Sequence, residues 1–409
     1  MEALLVLIAL TAITGVLIVP AMRRGGLLRR RGAAAGAVID PAASYGFVPA
    51  GQLDVRLPGP DAELVEALEE TQRTQDWEPV ARLLAFTGDE WELRWQRVQS
   101  LAGAAAMELA RSRAQGADGA DSPRDARGGP GDAVSFLKSG AADGGSGPGG
   151  AGGSSAGAGQ DARWLRRWRA QQPRDAGCAQ VYAQFLVWQA LADPSSADHR
   201  IILEEARTVC HDAAEIAPAD PTPHLTELVI ARHLSYRRAD FESLWATVKR
   251  LAPHHMGAHL AALPYWSERW CGSREDAIAF AQNVAANAPE GTLLPALPLF
   301  AVYEHLPEVN VVRGLYQSAE VENAVEAAEF AVDQVEDDHP VRPHVLHLLV
   351  WMLVRAERYE EALEALQFVD GFVGAVPWAE TDDPAGTYAA YRALALAGWE
   401  ATGGARAQL

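Results

Sequence analysis

Apolar residues recur along much of the chain at the three- and four-residue spacings of a helix. In the stretch DAELVEALEE, Asp61 occupies a helix-capping position, and Leu64 and Leu68 follow on one helix face. Further helices are predicted around residues 79–86 and over residues 91–110, and most of the C-terminal half has the same periodicity. No convincing run of alternating β-branched residues interrupts it. The pattern predicts an all-α fold.

The N-terminus differs from the rest because residues 3–22, ALLVLIALTAITGVLIVPAM, are apolar and carry no charge. As a helix this run would be about 30 Å long, which matches the hydrocarbon core of a bilayer. Arginines cluster directly after it, within residues 23–31, and Glu2 is the only charged side chain before it. Because positive charge stays on the cytoplasmic side, residues 1–32 are predicted to form a single transmembrane anchor with a basic stop-transfer segment. This predicts a cell-membrane protein whose N-terminus lies outside and whose C-terminal domain is cytoplasmic.

Two alternatives remain for this apolar run. A cleaved signal peptide has its basic residues before the apolar run and a small-residue cleavage site directly after it. Here the arginines follow the run and separate it from the small residues 33–37, AAAGA, that imitate a cleavage site. A helix buried in the protein core is the second alternative. The order of charges favours the anchor.

Composition divides the remaining chain into segments. Residues 33–58 carry scattered proline and glycine and are predicted to be a flexible tether, and residues 59–113 a small helical segment. Residues 114–160 contain 15 glycines and almost no large apolar side chains, which predicts a disordered glycine-rich linker. Its GxGxxG and GxSxG matches lack the flanking strand and helix that such motifs require. The apolar island VSFLK, residues 134–138, is either a docking motif or without function.

A pair of markers recurs in the C-terminal part. A small or apolar residue is followed by a proline 12 residues later at four places, and a fifth place keeps Ala362 but has Gly374 instead of proline. The first markers are 35, 36, 51 and 34 residues apart, so three of the four intervals lie close together. The long interval predicts an insertion within residues 292–312. The four pairs are Ala206 with Pro218, Phe241 with Pro253, Ala277 with Pro289, and Ala328 with Pro340.

The clearest unit is HVLHLLVWMLVRAERYEEALEALQFV, residues 344–369, which has an apolar stripe on each of two predicted helices. It and the preceding units resemble the tetratricopeptide repeat, a helix–turn–helix unit of about 34 residues. They depart from it where the first helix usually carries a small residue, since Val229, Tyr265 and Val350 stand there. The resemblance implies a right-handed α-solenoid of helical hairpins over residues 161–409, with an extended concave surface.

In this family the first helix of each unit lines the concave groove, which usually holds an extended peptide or a partner helix. Arginine and aromatic side chains there suit the carboxylates and apolar anchors of a peptide. Packing between repeats is the alternative for the tryptophans, and simple solvation is the alternative for the charged positions. Carrying the family's register onto this sequence gives the candidate partner-binding residues Thr226, His233, His259, Trp266, Arg269, Arg313, Gln317, His344, His347, Trp351 and Arg355.

Candidate catalytic and metal-binding residues are few. His255 and His259 are four residues apart, a spacing that suits two zinc ligands on one helix face. No HExxH motif, nearby cysteine or nearby carboxylate completes the set, so we predict no metal site and no cofactor. Cys210 adjoins His211, but neighbouring residues on a helix point in different directions. We therefore predict no catalytic residues.

Charge and cysteine content limit the class of partner. The formal net charge of -19 disfavours binding to nucleic acid, which needs clustered lysine and arginine. From residue 310 onward there are 6 arginines against 17 acidic residues, which indicates either solubility or a basic partner. The three cysteines are odd in number and far apart, so no disulfide framework is indicated, and a reducing compartment fits. No feature indicates a small-molecule substrate.

The sequence therefore favours a non-enzymatic, membrane-anchored scaffold or adaptor that binds a partner protein or peptide through a helical-repeat groove. The alternative is a self-associating assembly or regulatory subunit of an envelope complex. A hydrolase that uses histidines and acidic residues of the groove is a remote third interpretation, because no recognisable catalytic motif supports it.

Overall fold

The computed structural model describes residues 41–56, 59, 61–120, 162–307 and 314–404. Within these ranges the chain folds into fifteen α-helices joined by short turns, without a β-strand. An isolated parallel bridge joins Asp54 to Phe372. The predicted all-α fold is confirmed. No helix in the described ranges is long and apolar enough to span a membrane, and the predicted anchor, residues 3–22, lies outside them.

The helices fall on both sides of the glycine-rich linker. Three precede it, namely α1 (Ala62–Thr74), α2 (Glu78–Thr87) and α3 (Trp91–Ala120). The twelve that follow are α4 (Arg163–Gln171), α5 (Ala176–Ala192), α6 (His199–Ile216), α7 (Thr222–His233), α8 (Arg238–Leu251), α9 (Met256–Ala262), α10 (Arg274–Ala286), α11 (Leu297–Glu304), α12 (Ala319–Asp333), α13 (Arg342–Arg355), α14 (Tyr359–Val369) and α15 (Pro384–Ala401).

Polar side chains fix several helix starts. The Asp61 carboxylate accepts a hydrogen bond from the backbone N–H of Leu64 at 3.0 Å, so α1 begins where the sequence predicts. Ser273 caps α10 in the same way through the backbone N–H of Asp276, also at 3.0 Å. Each of these oxygens satisfies a backbone donor that has no partner within its own helix.

The marker prolines stand beyond helix ends. Helices α6, α8 and α10 end two or three residues before Pro218, Pro253 and Pro289. Proline cannot donate the next backbone hydrogen bond, so each of these helices stops before it. Helix α12 is different, because it ends at Asp333, well before Pro340.

The first member of each marker pair is completely buried. Ala206, Phe241, Ala277, Ala328 and Ala362 each have 0% of their surface exposed. They lie on α6, α8, α10, α12 and α14, which are alternate helices of the C-terminal part. The helices beside and between them, α5, α7, α9, α11, α13 and α15, contact one another in series. The helices from α5 onward therefore alternate between two rows. We call α5, α7, α9, α11, α13 and α15 the first-row helices, and the buried markers lie on the second row, where helices pack closely.

Helix α3 packs against the C-terminal part and contacts α5, α7 and α9. Arg94 forms an ion pair with Asp220 at 2.9 Å, next to the start of α7. The Glu92 carboxylate accepts hydrogen bonds from the backbone N–H groups of Met256 and Gly257, which caps α9. The composition separates residues 59–113 from the repeats, whereas the structure packs the two together.

Residues 41–56 also pack, although the sequence predicts a flexible tether over residues 33–58. Asp54 exchanges two backbone hydrogen bonds with the turn after α14, to Gly371 and from Val373, each at 2.7 Å. Phe47 is buried against the core, which a composition-based interpretation overlooks. These contacts fix the segment beside α14 and α15.

The predicted disordered linker begins later than composition suggests. Residues 114–120 continue α3, which ends at Ala120. Alanine and glutamine there favour a helix more than the glycine content suggests. Residues 121–160, which include VSFLK and the two glycine motifs, lie outside the described residues.

Candidate functional site

Five of the predicted groove positions face neighbouring helices instead of solvent. Thr226 Oγ1 lies 3.3 Å from Gln184 Oε1 in the adjacent helix α5. Trp378 Nε1 donates a hydrogen bond to His347 Nδ1 at 3.0 Å. Neighbouring helices cover the face on which the groove prediction places these side chains. The buried positions are Thr226, His259, Trp266, His344 and His347.

Trp266 shows the alternative that the sequence left open, which is packing between repeats. Only 9% of its surface is exposed. Its ring centroid lies 5.7 Å from that of Phe241 on α8 and 5.9 Å from that of Phe280 on α10. The guanidinium carbon of Arg238 lies 4.9 Å from the same ring. Trp266 is therefore a core residue that joins successive helices.

The other predicted positions divide by exposure. The positions at the C-terminal ends of the first-row helices, and in the turns after them, are at least partly exposed to solvent. Turns lie at the protein surface, whereas neighbouring helices cover the packed helix faces. His233 and Trp351 are half-buried, Arg269, Gln317 and Arg355 are exposed, and Arg313 lies outside the described residues.

Aromatic rings surround Arg355 and form what we call the aromatic–arginine surface. The guanidinium carbon of Arg355 lies 4.7 Å from the Trp351 ring, 5.4 Å from the Tyr316 ring and 5.7 Å from the Tyr391 ring. Its Nε donates a hydrogen bond to the Tyr391 hydroxyl at 2.8 Å. Cation–π contacts hold a guanidinium over ring faces while leaving its outer N–H groups open. The surface comprises Tyr303, Tyr316, Trp351, Arg355 and Tyr391.

Four elements build this surface. Trp351 and Arg355 are four residues apart on one face of α13, and the sequence identifies both. The tyrosines come from α11, from the turn before α12 and from α15, and the sequence analysis misses all three. Gln317 lies beside them, where its Nε2 is 3.4 Å from the backbone oxygen of Ala356. Only the fold brings these side chains together.

A group of charged residues adjoins the surface, and we call it the charged cluster. Tyr303 packs edge to face on Trp351, with ring centroids 5.3 Å apart, and donates a hydrogen bond to Glu380 at 2.6 Å. Glu304, the next residue on α11, is within electrostatic range of Arg232, Arg269 and Glu380. The cluster comprises Arg232, Arg269, Glu304 and Glu380.

Surrounding protein shifts the pKa values in this cluster. The protein packed around Glu304 raises the pKa of its carboxyl group, and Arg232 and Arg269 oppose the rise. Because the side chain itself is exposed, water offsets part of this shift. Burial also raises the pKa of Glu380 to about 7, where the Tyr303 hydrogen bond opposes and the charge of Glu304 adds to the rise. Burial lowers the pKa of Arg232 to about 10.

The histidine and cysteine pairs take structural roles. His255 Nδ1 accepts a hydrogen bond from the backbone N–H of Ala258, which caps α9, and burial lowers the pKa of His259 to about 4. Burial raises the pKa of the Cys210 thiol, which keeps it protonated, and His211 contacts Glu227 at 3.0 Å. No group of three metal-ligating side chains occurs in the described part of the chain.

Comparisons of the chain with protein-family models, with curated proteins and with solved structures find no match. Function therefore has to follow from the chemistry of this surface. The aromatic–arginine surface and the charged cluster adjoin each other, and together they combine exposed guanidinium groups, buried or half-buried aromatic rings and two carboxyl groups whose pKa values are raised. Such a combination suits recognition of a polypeptide.

Proposed function

We propose that this protein is a non-enzymatic, membrane-anchored scaffold that binds a partner protein through its aromatic–arginine surface. The observation that carries the proposal is the exposed Arg355 held over Trp351, Tyr316 and Tyr391. Tryptophan, tyrosine and arginine dominate the energetic centres of protein interfaces. An arginine already fixed by its neighbours loses little side-chain entropy on binding.

The proposal includes a helical-repeat architecture of the tetratricopeptide type, wound as a right-handed solenoid. Two findings support it. The recurring markers lie buried on alternate helices, and the intervening helices contact one another in series. A stacked array of this kind presents the ends of its first-row helices side by side, which is where the surface lies. Helix α3 covers the opposite ends of α7 and α9 through Arg94 and Glu92.

The loss of partner binding in an Arg355 variant tests the proposal. We expect Arg355→Glu to lower recovery of the partner at least tenfold, because it removes the cation and adds a negative charge beside the rings. The measurement is crosslinking and affinity capture of the full-length protein from membranes, quantified by mass spectrometry. Arg174→Glu is the matched control, since Arg174 is an exposed arginine away from the surface.

Two outcomes would overturn this assignment. One is equal recovery of a stoichiometric partner with wild type and Arg355→Glu, provided that both have the same circular dichroism spectrum. The other is recovery of the chain alone in every case, which would support the self-associating assembly subunit instead of the scaffold.

The proposed topology is tested separately. Residues 3–22 would span the membrane once, with the N-terminus outside and the helical domain in the cytoplasm. We expect protease added to intact cells to leave the helical domain whole, and protease added after permeabilisation to digest it. Digestion of the domain in intact cells would contradict the proposed orientation.

A further inference from the structure

Arg232 carries a buried positive charge that forms no ion pair with any described residue. It lies in the last turn of α7, and 2% of its surface is exposed. Among the described residues its Nε has no hydrogen-bond partner, and no carboxylate lies within ion-pair distance of its guanidinium group. The ring centroid of Trp270 lies 5.6 Å from the guanidinium carbon. Buried arginines are normally paired, so this one is suited to a ligand.

A second guanidinium group, that of Arg269, shares the neighbourhood of the first. Arg269 precedes Trp270 in the turn after the short helix Leu263–Trp266, and its side chain is exposed. It forms no ion pair with any carboxylate in the described ranges. Both arginines act on the carboxyl group of Glu304, so all three groups share one neighbourhood. Two guanidinium groups in one neighbourhood can both donate charge-assisted hydrogen bonds to a carboxylate.

The nearby glutamates do not neutralise these arginines. Glu304 is within electrostatic range of both but outside ion-pair distance, and Glu380 is hydrogen-bonded to Tyr303. Burial raises the pKa of Glu380 to about 7, so part of its population is protonated at neutral pH. The two glutamates therefore do not fully neutralise the two arginines of the charged cluster.

We propose that Arg232 and Arg269 bind a carboxylate group of the partner polypeptide. Arg269 meets the group at the protein surface, and Arg232 binds it from the buried side, next to Trp270. The inference rests on the proposed function, because the neighbouring aromatic–arginine surface would hold the adjoining residues of the same partner. It specifies that the partner presents a carboxylate group to the charged cluster.

Short peptides test the site without the natural partner. Isothermal titration calorimetry of the full-length protein would use acetyl-trialanine with a free C-terminus, its amide, and acetyl-Ala-Glu-Ala amide. We expect the free acid or the glutamate peptide to bind at least tenfold more tightly than trialanine amide. Preference for the free acid indicates a C-terminal carboxylate, and preference for the glutamate peptide indicates an acidic side chain. Equal binding of all three, or none, overturns the proposal.

Variants separate this site from the aromatic–arginine surface. We expect Arg232→Gln and Arg269→Gln each to weaken the preferred peptide at least tenfold. Arg269→Gln is the decisive variant, because the Arg269 side chain is exposed and its replacement should not disturb folding. Arg174→Gln, at an exposed arginine outside both regions, should leave this binding unchanged. Capture of the partner with Arg355→Glu is measured separately, so failure of the carboxylate site and failure of the proposed function give different results. Unchanged binding in both glutamine variants overturns the proposal.

The dependence on pH gives a further test. Glu304 interacts electrostatically with three charged groups, namely Arg232, Arg269 and Glu380. When Glu304 and Glu380 take up protons, their repulsion of a bound carboxylate falls. Affinity for the peptide should therefore rise as the pH falls from 8 to 6. Affinity that rises with pH instead would indicate a cation bound by the two glutamates, which contradicts the proposal.

Discussion

Replacing Asp370 by asparagine should lower the free energy of unfolding by about 3–5 kcal/mol, the usual cost of breaking a buried ion pair by removing one of its charges. The Asp370 carboxylate lies 2.7 Å from Arg392 Nη1 and accepts a hydrogen bond from the Tyr388 hydroxyl at 3.1 Å. It also accepts one from the backbone N–H of Val48. Arg392 is 1% exposed, so no water replaces the lost carboxylate.

A double-mutant cycle isolates this ion pair. Asp370→Asn and Arg392→Met would be measured alone and together by urea denaturation of the full-length protein at pH 7. Because Met fills similar space without a charge, the double variant should be more stable than the sum of the two single losses predicts. Glu364→Gln is the control, since Glu364 is exposed on α14. Additive losses, or a loss under about 1 kcal/mol for Asp370→Asn, would show that the pair contributes little.

This ion pair also explains why residues 41–56 are ordered. Arg392 Nη1 donates a second hydrogen bond, at 2.7 Å, to the backbone oxygen of Val48. Asp370 and Arg392 therefore bind both backbone groups of one residue near the start of the described chain. More than 300 residues separate Val48 from either partner, so no local pattern in the sequence predicts the contact.

Helices and buried markers could be predicted because both depend on local spacing. Asp61 caps α1, and Ala277 is buried on α10, as the sequence indicates. Periodicity identifies which face of a helix is apolar. A small or apolar residue with a proline 12 residues later identifies where a helix packs closely and where it ends. Neither signal specifies which other helix covers that face.

The candidate site was harder to predict for that reason. The family register places His347 toward an open groove, whereas Trp378 from a turn far along the chain covers it. The same register finds Arg355, yet the ring of Tyr391 that holds it belongs to α15. Arg232 belongs to no motif, and it is identified only by its burial without an ion-pair partner among the described residues. Contacts between distant elements decide each case.

Glu108 illustrates the energetic side of such a contact, because α3 buries its carboxyl group against α4. The side chain is 1% exposed, and neither carboxylate oxygen makes a hydrogen bond to a described residue. Burial raises the pKa of Glu108 to about 7, from an ordinary value of 4.5. The pKa is lowered by smaller amounts by Arg111, Trp164 and the backbone of Ala162. Trp164 and Ala162 are near the carboxyl group but form no hydrogen bond with it.

The raised pKa makes the stability of the fold depend on pH. Between about pH 4.5 and pH 7 the unfolded chain loses the Glu108 proton while the folded chain retains it. The free energy of unfolding therefore falls as pH rises through this window, by about 3 kcal/mol at 1.36 kcal/mol per pKa unit. Above pH 7 the loss is complete, because both states are then ionised.

Glu108→Gln removes this titration while keeping the size and polarity of the side chain. At pH 8 we expect the variant to be more stable than wild type by up to about 3 kcal/mol, and near pH 4.5 we expect the two to be similar. Urea denaturation of the full-length protein at pH 4.5, 6 and 8 measures the difference. Glu70→Gln, an exposed glutamate on α1, should show no such trend. If the difference between Glu108→Gln and wild type stayed constant from pH 4.5 to 8, the Glu108 carboxyl group would not be the one that titrates on unfolding.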